Sequence, residues 1–300
     1  MFTRRFFLTA CTLFALSACS STSHSPSTST VKPKPQPKPR AVIGLALGGG
    51  ASKGFAHIGV IKVLKANNIP VHVVTGTSAG AVVGSLYASG MSPDRLELEA
   101  EILNKKDVAD FSWSTRGLIK GEKLQNWISG KVKQVPMEKF PIRFGAVATE
   151  FNTGKMTVFS RGSAGQAVRA SASIPNVFLP TEISGKKYVD GGLSAPVPVR
   201  AAKQLGANVV IAVDISAKPT NLNKSSGFLA YLDQSLNIMS TSALQSELSQ
   251  ANVVIKPQVQ NLGAIGGFDQ KAQAIALGEQ AARKALPEIK KVLSQYQYQY

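Results

Sequence analysis

Gly76-Thr77-Ser78-Ala79-Gly80 is the stretch that decides the fold. Before it, Val71 to Thr75 is an apolar, β-branched run that predicts a buried strand, and after it Ala81 to Ala88 predicts a core-facing helix. A serine between two glycines at such a turn is typical of a nucleophile elbow, because glycine permits a tight turn and the hydroxyl is exposed at the positive end of the helix. Glycine-rich turns between strand and helix also arise from packing alone, so both interpretations stay open.

A second glycine cluster follows another predicted strand, Ala41 to Leu47. It consists of Gly48-Gly49-Gly50 ahead of a predicted helix, where backbone N–H groups can point together at an anion. Two nucleotide-binding patterns fail by one position each, since Gly54 stands where the Walker pattern needs Ser or Thr, and Lys53 where the dinucleotide pattern needs glycine. The remaining interpretations are an oxyanion hole for acyl transfer and a simple tight turn.

A histidine base is disfavoured by the order of residues. The chain has three histidines, His24, His57 and His72, and none of them follows Ser78, which excludes the Ser-Asp-His order of α/β-hydrolases. His57, in the first turn of a predicted helix, is expected to pack or cap rather than to act as a base. His72 lies in a β-branched run and is expected to be a core residue.

Asp190 is the other candidate base. It ends a short predicted strand and is followed by Gly191 and Gly192, which leave room for another backbone or a substrate to approach. Asp-Gly turns without any catalytic role are common, so this signal alone is weak. Asp190 lies 112 residues after Ser78, a separation that only the fold can close.

Taken together and in this order, the motifs resemble those of the patatin-like phospholipase family. The resemblance covers about residues 41–215 and rests on Gly48–Gly50 with Lys53 and Gly54, His57–Val60, Gly76–Gly80, Arg169–Pro175 and Asp190–Gly192. It implies a carboxylic-ester hydrolase of the phospholipase A or lysophospholipase type that needs no cofactor and no metal.

The resemblance also assigns roles to individual residues. It implies Ser78 as nucleophile, Asp190 as its base in a Ser-Asp dyad, and Gly48, Gly49 and Gly50 as the oxyanion hole. Gly76, Gly80, Gly191 and Gly192 belong to the flanking motifs. Lys53 stands where relatives often carry arginine, which keeps the positive charge but loses the bidentate fork.

The order of predicted elements indicates an α/β protein with three α/β/α layers and a mainly parallel central sheet, since strands alternate with helices along the chain. Residues 217–227 are mostly polar and predict a loop. The next predicted helix, from Phe228 to Met239, is apolar enough to be either a core helix or a lid that contacts acyl chains.

The first 40 residues predict export and lipid anchoring. Residues 1–18 have a charged start, a short apolar run and small residues at its end, as a secretory signal does. Leu16-Ser17-Ala18-Cys19 resembles the bacterial lipobox, which implies lipidation of Cys19; an ordinary signal peptide that contains a cysteine is the alternative. Residues 19–40, rich in Ser and Thr and then in Pro and Lys, predict a tether ahead of one domain spanning residues 41–300.

The net charge of the chain also favours association with a membrane. The net charge is +17, of which residues 1–40 carry +6 and the rest +11. Such a surface favours anionic membranes or nucleic acid, and no nucleic-acid-binding pattern is present, so a membrane is the expected partner. Ser20 follows Cys19 in place of the aspartate associated with inner-membrane retention, which indicates the outer membrane of a bacterial envelope.

The expected function is therefore fatty-acid release from phospholipids or lysophospholipids. Two alternatives keep the dyad: acyl transfer to another acceptor, and cleavage of a non-lipid ester. A third, a non-catalytic binding lipoprotein, would keep the fold and the anchor only.

Overall fold

The computed structural model describes residues 38–108, 110, 119–216, 228–262 and 267–297. Its strands are β1 (Ile43–Leu47), β2 (Val73–Thr77), β3 (Arg143–Glu150), β4 (Met156–Phe159), β5 (Thr181–Ile183), β6 (Lys186–Asp190), β7 (Val209–Val213) and β8 (Val253–Ile255). Its α-helices are α1 (Ala56–Ala66), α2 (Ala79–Ala88), α3 (Pro93–Ile102), α4 (Lys105–Val108), α5 (Glu122–Lys131), α6 (Ala164–Ser171), α7 (Val199–Gln204), α8 (Phe228–Met239), α9 (Thr241–Leu248) and α10 (Lys271–Leu293). Short 3-10 turns span Ala51–Phe55, Met137–Lys139, Gly191–Leu193 and Gly267–Gln270.

The strands form one sheet in the order β5-β6-β3-β2-β1-β7-β8, with β4 also paired to β3. The pairs among β3, β2, β1, β7 and β8 are parallel, whereas β4, β5 and β6 pair antiparallel. The prediction of an α/β fold with a mainly parallel sheet is confirmed. Because the carboxyl ends of parallel strands meet at one edge, the loops after β1, β2, β3 and β7 are brought together there.

Helices cover both faces of this sheet, and β1 shows why. Its residues are all buried, and Leu45 and Leu47 join the core beneath α1 and α10, whereas Ala46 packs with residues of α7 on the other face. Successive side chains of a strand point to opposite faces, so a continuous apolar run serves two cores. The three-layer arrangement follows from this pattern.

Element boundaries differ from the sequence prediction at the decisive turn. β2 was expected to end at Thr75 but continues through Thr77, and α2 begins at Ala79 rather than Ala81. The extension depends on pairing, because Gly76 and Thr77 lie opposite Ala146 and Val147 of β3. Glycine has a low intrinsic strand preference, and the neighbouring strand overrides it.

Other predictions fall partly outside the described residues. The signal, Cys19 and most of the tether lie there, as does the loop at 217–227. Lys38 and Arg40, the end of the predicted tether, contact the carboxyl-terminal residues, where Lys38 Nζ donates to Ser294 O at 2.6 Å and Arg40 pairs with Gln297. Within the described ranges no helix is both long and apolar enough to span a bilayer.

Candidate active site

Ser78 stands on the turn between β2 and α2. Its backbone has φ 53° and ψ −120°, a conformation that residues other than glycine seldom adopt. The residue is the N-cap of α2, and its carbonyl accepts hydrogen bonds from Ala81 N–H at 2.9 Å and Val82 N–H at 3.1 Å. Strain of this kind persists only where the surroundings enforce it, and it is a feature of the nucleophile elbow.

The two glycines of the elbow are required by close backbone approach. A Cβ at Gly76 would lie 2.3 Å from Gly80 O, and one at Gly80 would lie 2.1 Å from Leu47 O. The turn therefore packs directly on the carboxyl end of β1. Gly54 also allows a close approach to this turn, since a Cβ at that position would lie 2.6 Å from the Cβ of Ala79.

The register of the sheet brings Asp190 to the level of Ser78. Thr77 pairs with Val147, and Asp190 pairs with Ala148, so the two predicted catalytic residues come to adjacent positions along β3. Gly191 has to be glycine here, because a Cβ would lie 2.1 Å from Val147 O. The separation of 112 residues in sequence is closed by strand pairing.

The carboxyl group of Asp190 is buried, and its two oxygens differ. Oδ1 accepts a 2.7 Å hydrogen bond from Gly192 N–H, whereas Oδ2 has no hydrogen bond of normal geometry within the described residues. Burial raises the pKa of Asp190 from 3.8 to about 6, and hydrogen bonding by Gly192 N–H and by the Ser78 hydroxyl opposes that rise. The register of β3 places Ser78 next to this carboxyl, whose Oδ2 has an unused acceptor position within the described residues.

The glycine loop lies against Ser78, but only part of it offers donors. A Cβ at Gly49 would lie 3.4 Å from the Cβ of Ser78. However, Gly48 N–H donates to Val213 O and Gly49 N–H to Pro196 O, both at 3.0 Å. These two glycines shape the loop and offer no free donor, which corrects the expectation that all three could bind an oxyanion. Gly50 N–H donates no hydrogen bond within the described ranges.

Sequence reasoning missed one further donor, the N–H of Ala79. This group belongs to the first turn of α2, where helix N–H groups have no partner within the helix. The residue after the nucleophile commonly contributes to the oxyanion hole of such elbows, so the signal was present in the motif itself.

His57 supports the glycine loop. Its ring is fully buried, and Nε2 lies 2.8 Å from Gly48 O, to which it donates as the neutral tautomer. Burial lowers the pKa of His57 to about 4, although the bond to Gly48 opposes this shift. A neutral imidazole bonded to a loop carbonyl agrees with the expected packing role.

His72 and the Ser78 region lie at opposite ends of β2. His72 is half-buried just ahead of the strand, where Nδ1 accepts a 2.9 Å hydrogen bond from Ile43 N–H, so it is not the fully buried core residue expected. The five residues of β2 separate it from Ser78, a distance of about 20 Å along the strand. A surface cavity lined by Pro70, Tyr87 and Ile142 lies at this same distant edge.

Lys53 is buried in the 3-10 turn directly after the glycine loop, with 2% of its surface exposed. The turn that contains Lys53 lies between the glycine loop and α1. In the described part of the chain, no three or more His, Cys, Asp or Glu side chains are grouped as they would be around a metal ion.

This chain is similar to known proteins in sequence and in fold. The family model of the patatin-like phospholipases matches residues 45–203. An NTE family protein of Mycobacterium tuberculosis is 36% identical over 177 residues, covering 58% of this chain and 49% of that protein. Lysophospholipase NTE1 of Scheffersomyces stipitis is 30% identical over 181 residues, covering 58% of this chain and 12% of that protein.

Among solved structures, VipD from Legionella pneumophila superimposes with a TM-score of 0.60 at 14% identity, covering 83% of this chain and 67% of that one. At that identity the likeness concerns the fold. The chain spans about half the length of the mycobacterial relative and far less of the yeast one. Because the family model covers more than half of the chain and includes the elbow, the glycine loop and Asp190, this chain belongs to the patatin-like phospholipase family.

Proposed function

We propose that this protein is a serine acyl hydrolase that releases fatty acids from phospholipids or lysophospholipids through Ser78 and Asp190. The observation that carries the proposal is the strained Ser78 beside a buried carboxyl whose Oδ2 is unpaired within the described residues. The name of the yeast relative, a lysophospholipase, supports the choice of lipid esters.

The proposed reaction has two stages. As Ser78 Oγ attacks the ester carbonyl, Asp190 Oδ2 takes its proton, and the N–H groups of Gly50 and Ala79 stabilise the oxyanion. The proton is then passed to the departing alcohol. In the second stage Asp190 deprotonates a water molecule, whose oxygen attacks the carbonyl of the acyl-serine ester. The bond to Ser78 Oγ breaks, Asp190 returns the proton to Ser78 Oγ, and the fatty acid is freed.

Cellular placement is part of the same proposal. Lipidation at Cys19 would hold the domain at a bilayer that supplies its substrate, and the residue after Cys19 favours the bacterial outer membrane. The excess of basic residues is suited to anionic lipid surfaces.

Product analysis tests the reaction type. The full chain in mild detergent is expected to release free fatty acid from mixed micelles of phosphatidylglycerol and of lysophosphatidylcholine. When glycerol is added as an alternative acyl acceptor, acylglycerol is expected to be a minor product relative to free fatty acid. Acylglycerol as the main product would assign acyl transfer instead. If neither lipids nor short-chain esters are cleaved, a non-catalytic binding protein is favoured.

The pH dependence tests the base. Since Asp190 must be ionised and its pKa is about 6, kcat/KM is expected to fall about tenfold per pH unit below pH 6 and to be level above it. His57, with a pKa of about 4, stays neutral over this range. A profile that is flat from pH 5 to 8 would contradict Asp190 as the base.

Unfolding at low pH would also lower kcat/KM, so it has to be distinguished from protonation of Asp190. The folded-state pKa of His57 is depressed below its usual 6.5, so the unfolded chain binds more protons and stability decreases as pH falls from 6.5 towards 4. The profile is therefore recorded with the melting temperature at each pH, and only points from folded protein are fitted.

A further inference from the structure

We infer that Ser171 is a positioning residue for the nucleophile, and that its hydroxyl holds the backbone of Ser78 in the conformation needed for attack. The inference deepens the proposed function and rests on it, since Ser78 is taken as the nucleophile. Ser171 is the last residue of α6 and lies 93 residues from Ser78 in sequence.

Two buried hydrogen bonds carry the inference. Ser171 Oγ accepts from Ser78 N–H at 2.9 Å and donates to Val147 O at 2.5 Å. The side chain of Ser171 is completely buried. One hydroxyl therefore bridges the nucleophile to β3, and its donor and acceptor capacities are both used.

The bridge stands where the strand pairing stops. β2 and β3 pair up to Thr77 and Val147, and beyond that point the chain turns into α2. Without the hydroxyl, the buried Ser78 N–H would lose this hydrogen bond and Val147 O would lose its donor from Ser171, which is costly. Relaxation of the strained backbone of Ser78 would be the way to relieve that cost, and it would move Oγ away from Asp190.

The same segment also holds the second member of the dyad. Asp190 N–H donates to Ser173 O at 2.9 Å, so residues 171 and 173 fix the backbones of both catalytic positions. The side chain of Ser173 points elsewhere, because its Oγ donates to Arg169 O at 2.8 Å and lies 2.9 Å from Thr181 Oγ1. Ser171 thus acts through its hydroxyl, and Ser173 through its carbonyl.

Because Ser171 acts through its hydroxyl, the inference is testable by substitution of that side chain. In the full chain in detergent, Ser171→Ala is expected to lower kcat for lysophosphatidylcholine at least tenfold with KM changed less than twofold. Covalent labelling of Ser78 by a fluorophosphonate is expected to slow by a similar factor. The apparent pKa of kcat/KM is expected to rise slightly above 6, since the Asp190 carboxyl keeps its bond from Gly192 but the Ser78 hydroxyl no longer opposes the effect of burial.

Two further variants separate positioning from general stability. Ser85→Ala removes a buried hydroxyl that bonds within α2, to Val82 O. It is expected to keep kcat within twofold even where the melting temperature falls. Ser171→Cys, nearly isosteric with a weaker hydrogen-bonding group, is expected to fold and to show an intermediate loss.

The outcomes that would overturn the inference are distinct. An unchanged kcat in Ser171→Ala, or in Ser171→Cys if the alanine variant does not fold, shows that the bridge does not position Ser78. A rise in KM at constant kcat would assign Ser171 to substrate binding. Absence of turnover in the unmodified protein contradicts the proposed function instead, and the labelling rates still report on Ser171.

Discussion

Replacement of Asp190 by asparagine is expected to lower kcat about a thousandfold, because a general base of this kind contributes rate factors of that order. Asparagine is nearly isosteric, and its Oδ1 can still accept the hydrogen bond from Gly192 N–H. It cannot take the proton of Ser78. Ser78→Ala is expected to reduce fatty-acid release to the uncatalysed level.

The same Asp190→Asn substitution is expected to stabilise the protein. The folded-state pKa of Asp190 is raised, so the carboxyl costs no stability below its unfolded-state pKa of 3.8, and the cost grows as pH rises until the folded-state carboxyl ionises at about 6. A shift of this size corresponds to at most about 3 kcal/mol. Above pH 7, asparagine is therefore expected to raise the free energy of unfolding, and near pH 4 to change it little.

The test measures both kcat and the free energy of unfolding of the Asp190→Asn variant. Fatty-acid release gives kcat, and urea unfolding at pH 4.5 and pH 8 gives the free energies. The control is Asp94→Asn in the first turn of α3, where activity is expected to be unchanged. An active Asp190→Asn enzyme would remove Asp190 from the mechanism, and an inactive but destabilised one would contradict the buried carboxyl described above.

Gly80→Ala is expected to destabilise the protein by about 3 kcal/mol, the upper range for forcing atoms into a packed site. The new Cβ would lie 2.1 Å from Leu47 O and 2.8 Å from Gly48 O. Both atoms belong to backbone at the end of β1, so no side chain can rotate aside. The displaced carbonyl of Gly48 is also the acceptor of His57, and the glycine loop is expected to shift with it.

Gly130→Ala is the matched control for this variant. Gly130 is exposed near the end of α5, and a Cβ there would meet nothing within 4 Å. Alanine is the better helix former, so a gain of about 0.5 kcal/mol is expected. Urea unfolding of both variants tests the contrast, and equal stability of Gly80→Ala and the unmodified protein would show that the elbow does not pack on β1 as described.

Much of the fold was predictable from local patterns. The apolar run before Gly48 and the β-branched run before Gly76 predicted two buried strands, and both lie at the centre of the sheet. A serine followed by proline is typical of a helix start, and at the start of α3 Ser92 Oγ does accept from Arg95 N–H ahead of Pro93. Such signals depend only on residues close in sequence, so they can be identified without knowing the contacts made by the rest of the chain.

The limits of β2 were not predictable in the same way. Gly76 and Thr77 are strand residues only because Ala146 and Val147 lie beside them. Similarly, a proline inside a helical pattern usually kinks or ends the helix, yet α10 continues through Pro287 from Lys271 to Leu293. Packing of α10 along α1 offsets the loss of one helical hydrogen bond there.

The sequence by itself determined which residue types can perform the chemistry: a serine between glycines, an aspartate before glycines, a glycine loop, and no histidine after Ser78. Only the tertiary structure decided how they are used. It brings Asp190 level with Ser78 through β3, engages the N–H groups of Gly48 and Gly49, and bridges the elbow with Ser171. The physical reason is that each of these contacts joins residues far apart in sequence, whose partners are set by strand register rather than by local preference.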